Sequence, residues 1–145
     1  GIARAAFDCF VELAAEKVPA AGTTPICQLG SVQIDVARAE ALTDSARSYV
    51  YDAVQSLWAV IDRGLTATID ARRRIRLAGT HAAAMAASSV DLLYNAAGAS
   101  SISETCPLQR HFRDVHVTTQ HHHVNGAGFE RMGRLRLTGT VDGLL

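Results

Sequence analysis

The chain has 145 residues, 48% of them hydrophobic, with a formal net charge of zero. That length holds one domain with a real core, and that composition excludes a disordered chain. Balanced charge gives no global electrostatic reason to bind nucleic acid or an anionic membrane, so neither is expected as a partner. The densest basic run, "ARRRIR" over 71–76, is expected to be a solvated helix turn. Cys9, Cys27 and Cys106 show no C-x-x-C spacing. An odd count without a signal peptide suits reduced thiols in the cytoplasm. No apolar run approaches the ~20 residues of a membrane span. The chain opens "GIARAAF", without Met and already in helical register, which predicts a piece of a longer protein.

Residues 2–17 place Ile2, Ala6, Cys9, Phe10 and Leu13 on one helical face. "VPAAGTTP" then breaks the helix with two prolines and a glycine. The second helix is expected to be the longest. Val32, Val36, Ala39, Thr43, Ala46, Val50, Ala53, Leu57 and Val60 alternate at spacings of four and three. A period near 3.5 marks long, nearly antiparallel helices packed together, and small seam residues let their axes approach. At ~1.5 Å per residue this helix spans roughly 45 Å. Off the seam, Ile34, Leu42 and Tyr49 are candidates for self-association.

"DRGLTATID" is the next break. Gly64 suits the position after a helix end, Thr66 or Thr68 an N-cap, and Asp70 the favourable first turn. A third helix is expected over 68–97, with Ala78, Ala82, Met85, Ser89, Leu92 and Ala96 as its seam. Met85 and Leu92 read as core. "GASSISETCP" separates it from a fourth helix, which starts near Pro107 and is expected to reach His123, where "VNGAG" stops it. "FERMGRLRL" forms a short further segment. There is no internal repeat and no alternating strand pattern longer than a few residues. The expected fold is all-α: an up-down bundle of four main helices with a short C-terminal helical segment.

Five of the six histidines lie in "RHFRDVHVTTQHHHVN", 110–125. A metal site on one helix needs ligands three or four apart, and no pair among 111, 116, 121, 122 and 123 has that spacing. There is no Glu-x-x-His of the di-iron bundles. No metal site is therefore expected, and His111, His116 and His123 read as surface or interhelical polar contacts. On a helix, His121 and His122 would point about 100° apart.

"GIARAAFDCFVELAAEKVP", "VQIDVARAEALTDSARSYVYDAV", "RLAGTHAAAMAASSVDLLYNAAGASSI" and "CPLQRHFRDVHVTTQHH" together resemble the C-terminal helical domain of the acyl-CoA dehydrogenase superfamily. The similarity is greatest to its flavin-dependent, two-component monooxygenase branch. It covers essentially the whole chain, and "PLQRHFRDVH-x4-H" is its most specific part. The resemblance implies a three-domain flavoenzyme of which 1–145 is the C-terminal bundle. It implies reduced FMN or FAD as cofactor, a flavin reductase as electron supplier, an aromatic or polycyclic substrate, and a homo-oligomer, dimer or tetramer, built on the bundle. It also implies that the histidine ending the fourth helix assists oxygen activation on the flavin and substrate deprotonation. Aligned through "RHFRD", that residue is His121, with His122 one position away. Gly98, Ser100 and Ser101 occupy a turn near the flavin phosphate or adenine side. Arg110 and Arg113–Asp114 are candidates for a flavin contact or a structural ion pair. Two other readings stay open. In an acyl-CoA dehydrogenase, a glutamate near this helix end removes the substrate α-proton, but the matching residues here read "HHHV". A bundle serving only oligomerisation is the third, and the domain alone is expected to be inactive.

Overall fold

The seam on the second helix becomes its contact surface. The computed structural model describes residues 1–20 and 22–140. It contains α1 (Ile2–Glu16), α2 (Gly30–Asp62), α3 (Ile69–Ala97), α4 (Pro107–Thr119) and α5 (Ala127–Thr138). Short 3₁₀ turns lie at Ile26–Gln28 and Gly98–Ile102, and there is no strand among the described residues. On α2, Val32, Ala39, Ala46 and Ala53 are buried, seven residues apart. The intervening Val36, Thr43, Val50, Leu57 and Val60 are half-buried. α3 packs along this stripe. The small side chains bring the backbones close enough for Ser89 Oγ to donate to the Ala39 carbonyl at 2.9 Å. The Thr43 hydroxyl lies 3.0 Å from Ser89 Oγ, so the polar groups in this seam satisfy one another.

α3 is the centre of the molecule, packed against α1, α2, α4 and α5. It therefore buries more than the one predicted seam. Ala78 and Ser89 are buried as expected, while Ala82, Met85, Leu92 and Ala96 are only half-buried. Thr80, Ala87, Val90, Leu93 and Ala97 supply a second buried face. Phe10, Val90, Leu93, Leu108 and Val115 fill the core between α1, α3 and α4. Each such side chain contributes about 1.5–3 kcal/mol on burial.

Capping chemistry sets the ends. Thr68, not Thr66, caps α3: its side chain accepts from the Ala71 N–H at 3.1 Å. Gly64 takes φ 72° after α2, the left-handed conformation that terminates a helix at least cost. α5 crosses α3 where Gly128 meets Thr80, and a Cβ on Gly128 would lie 2.4 Å from Thr80 Oγ1. The fold is the expected all-α, up-down bundle with a short fifth helix.

Two expectations are corrected. The fourth helix ends at Thr119 instead of continuing to His123. Val117, Thr118 and Thr119 are β-branched, and the two threonine hydroxyls bond back to the Asp114 and His116 carbonyls at 3.0 and 2.7 Å. Such residues weaken a helix end, and α5 then draws the chain back onto α3. The basic run over 71–76 is also less solvated than expected. Arg73 pairs with Asp70, Arg74 with Asp52 and Arg76 with His123, so the last two tie α3 to α2 and to the histidine turn.

Candidate functional site

The early end of α4 puts His121, His122 and His123 in a tight turn rather than on a helical face. The His121 N–H donates to the Thr118 carbonyl, and the Val124 and Asn125 N–H groups donate to the His121 carbonyl. A reversing chain brings consecutive side chains together, where a helix would splay them. Ring centroids lie 4.6 Å apart for His121–His122, 3.9 Å for His122–His123 and 5.4 Å for His121–His123. All three residues are exposed. The predicted 100° divergence therefore does not apply.

Two anchors fix this turn. Arg131 of α5 donates to the His122 carbonyl at 3.2 Å. The Arg76 guanidinium meets His123 Nδ1. Desolvation by the packed rings, then the His122 and Arg76 charges, push the His123 imidazole below its ordinary range. The His123 N–H faces His121 Nδ1 at a long 3.4 Å. That makes Nδ1 the acceptor and leaves the ring proton of neutral His121 on Nε2. Beside the turn, Asn125 Oδ1 and Arg131 Nε are buried without a hydrogen-bond partner. Unsatisfied buried groups are costly, and these two stand ready for a polar ligand or water. Among the described residues no three His, Cys, Asp or Glu side chains are arranged to hold a metal ion.

The other predicted site lies at the opposite end of α4. Thirteen residues separate the two ends, roughly 20 Å of helix, so His121 and the Gly98 turn do not converge. Gly98 has φ 54°, a conformation suited to glycine, and its carbonyl accepts from Ser101 Oγ at 2.6 Å. Ser101 is buried and spends its hydroxyl proton inside the turn. Ser100 is half-buried on a cleft of about 750 Å³ that Lys17 also lines. The Lys17 ammonium donates to the Ala97 carbonyl, so a cation stands at this turn. Arg110 is exposed and pairs with Asp114 at 3.5 Å, which replaces the expected Arg113–Asp114 pair.

His116, read as a surface or interhelical polar contact, makes an interhelical one whose partner the sequence did not name. His116 Nε2 lies 2.8 Å from Asp91 Oδ1 across the α3–α4 interface. Phe112 packs edge-on to His116 and stacks on Tyr94 at 4.2 Å. The signal was present in the four-residue spacing of Phe112 and His116, but the partners come from α3, which spacing within α4 cannot reveal.

The family model described as acyl-CoA dehydrogenase, C-terminal domain, matches residues 1–126. The chain belongs to this family. Within it, the chain is 31% identical over 135 residues to indole-3-acetate monooxygenase of Pseudomonas putida, covering 93% of this chain and 35% of that protein. It is 29% identical over 122 residues to the oxygenase subunit HsaA, a flavin-dependent monooxygenase of Rhodococcus jostii strain RHA1, covering 83% of this chain and 32% of that protein. The solved structure of XiaF from Streptomyces sp., in complex with FADH2 and glycerol, superposes with a TM-score of 0.88 at 26% identity. That match covers 99% of this chain and 37% of XiaF. The chain thus spans about a third of the length of the relatives it matches. The family match covers all of α1 to α4 and the histidine turn as far as Gly126. In this family member no helix among the described residues is long and apolar enough to cross a membrane.

Proposed function

We propose that this chain is the C-terminal domain of a two-component, flavin-dependent monooxygenase acting on an aromatic or polycyclic substrate. The observation that carries the reading is the histidine turn itself. Where a dehydrogenase of this family would place a carboxylate base, the chain has three histidines, and the next acid, Glu130, is committed to Arg134 at 2.6 Å. Similarity to indole-3-acetate monooxygenase and to HsaA points the same way. Reduced FMN or FAD, supplied by a flavin reductase, fits these residues. Asn125 Oδ1 and Arg131 Nε are orphaned polar atoms beside the turn, and Lys17 with Ser100 offers a cation and a hydroxyl at the far end of α4. The flavin, when bound, supplies the redox chemistry with O₂.

This chain's residues then have separable roles. His121 holds or delivers one proton at Nε2, with Nδ1 turned toward the His123 N–H. His122 is the neighbouring alternative for that role. Asn125 and Arg131 orient polar edges of the bound group. Gly98, Ser100 and Ser101 shape the phosphate-side turn, with Ser100 rather than Ser101 free to donate. Arg110 acts from the surface at most, since its guanidinium faces Asp114.

Self-association belongs to the same reading. Of the expected contacts, Ile34 is exposed, but Tyr49 packs edge-on to His81 and Leu42 is half-buried. Further along α2, Tyr51, Val54, Trp58 and Ile61 are exposed apolar residues repeating at three and four, and Trp58 is 68% exposed. A dimer or tetramer of the complete cytoplasmic enzyme would cover them.

The test uses the full-length protein, a flavin reductase, ¹⁸O₂ and a panel of aromatic substrates that includes indole-3-acetate. Incorporation of one ¹⁸O atom per product supports the monooxygenase. Flavin reduction by an acyl-CoA without a reductase would replace it with the dehydrogenase. Neither activity, with a stable oligomer, would leave the bundle an assembly element.

A further inference from the structure

Cys9 on α1 and Cys106 at the N-cap of α4 come together at one end of the molecule. Both are half-buried free thiols, both pack against the core, and both line the cleft beside Lys17. The neighbours that fix Cys9 are explicit. Cys106 and the Leu108 backbone are among the groups close enough to perturb its thiol. Cys106 itself makes no side-chain capping bond to α4, so its sulfur is not occupied by the helix. Leu108 is fully buried, which pins the first turn of α4 against α1 and leaves the two thiols as fixed neighbours. Cys27, by contrast, is exposed on the Ile26–Gln28 turn.

We propose that Cys9 and Cys106 form a dithiol site that a peroxide converts reversibly into a disulfide joining α1 to α4. One thiol reduces the peroxide, taking one oxygen as a sulfenic acid and releasing one molecule of water or alcohol. The second sulfur then attacks the sulfenic sulfur. The S–S bond forms, the S–O bond breaks, and the departing hydroxyl takes the thiol proton to leave as water. With hydrogen peroxide, two thiols are oxidised by two electrons and two waters form. Burial, then the adjacent Cys106, pushes the Cys9 thiol up. Either sulfur can take the peroxide oxygen, and the other then resolves it. Reduced flavin and O₂ yield hydrogen peroxide when turnover is uncoupled. That source rests on the monooxygenase reading, whereas the site rests on the thiol geometry alone.

The experiment adds stoichiometric hydrogen peroxide to the full-length protein carrying Cys27→Ser, so the site is tested independently of any flavin chemistry. Alkylation and peptide mapping follow. The expected result is loss of both Cys9 and Cys106 from alkylation and an intrachain peptide linking them, reversed by dithiothreitol. In Cys9→Ser and in Cys106→Ser no linked peptide should form, and the remaining thiol should accumulate a sulfenic acid trapped by dimedone. Persistence of both thiols in their reduced form, or over-oxidation of either without a linked peptide, would overturn the proposal.

Discussion

The α2–α3 seam and the 120–126 turn obey different rules. In the seam, the buried residues of α2 repeat every seven positions on the face packed against α3. A change at one seam position is felt as packing. In the turn, three exposed rings are collected by backbone reversal and held by Arg76 and Arg131 from two other helices. A change there leaves the core intact and alters what the turn can bind or protonate. On the proposed reading, stability and chemistry are carried by separate regions.

The largest effect that can sharpen this contrast is chemical. In the full-length protein, His121→Ala is expected to slow the step it serves by ~10²–10⁴-fold and to raise the share of reducing equivalents lost as peroxide, with little change in melting temperature. Product yield against peroxide, measured beside thermal unfolding, checks it. His122→Ala is the companion variant: a defect there and none in His121→Ala moves the working group by one residue. His123→Ala should do little to turnover, because its ring is engaged by Arg76.

The seam side breaks in the opposite sense. Leu93→Ala removes a fully buried side chain from the α1–α3–α4 core and should cost about 2–5 kcal/mol in denaturant unfolding. Oxygen reactivity per folded molecule should not change. Equal losses in both measurements would show that the two regions are coupled.

Gly128→Ala probes the junction between them. Its new Cβ would meet Thr80 Oγ1 at 2.4 Å, so Thr80 must rotate or α5 must shift. A cost of about 1–3 kcal/mol is expected. Thr80→Ala, which also removes a buried hydroxyl with no partner, should recover part of it in the double variant. Strict additivity in the double-mutant cycle would contradict this contact.

The smallest expected effect is a pH dependence. Folding lowers the His123 pKa from its ordinary 6.5, so the folded state binds fewer protons than the unfolded chain between those two values. Stability from this group is complete above pH 6.5 and declines as pH falls through the unfolded value toward the folded one. His123→Gln should flatten that part of the melting-temperature profile. An unchanged slope in the variant would assign the dependence to other groups.

Much of the fold was legible because its rules are local. The seam of α2, the threonine cap (Thr66 or Thr68) and Gly64 stop of the α2–α3 connection, and Pro107 at the start of α4 each depend on neighbours within a few residues. The second buried face of α3 was not legible, since it exists only because α1, α4 and α5 pack there. Met85 and Leu92, read as core, sit half-buried on the flank of that arrangement. The site divides in the same way. "PLQRHFRDVH-x4-H" marked the residues, yet their placement on a helix did not hold, because Thr118 and Thr119 turn their hydroxyls back on the chain.

By itself, then, the sequence determined which segments are helical, which stripe of α2 is buried, and which family pattern the fourth helix carries. Each follows from periodicity, capping or residue type along one stretch of chain. Only the tertiary structure decided that α4 stops at Thr119, that three histidine rings gather in one turn, that Asp91 meets His116, and that Cys9 lies beside Cys106. Those contacts join residues far apart in the chain, and their existence depends on helix crossings that no single helix encodes.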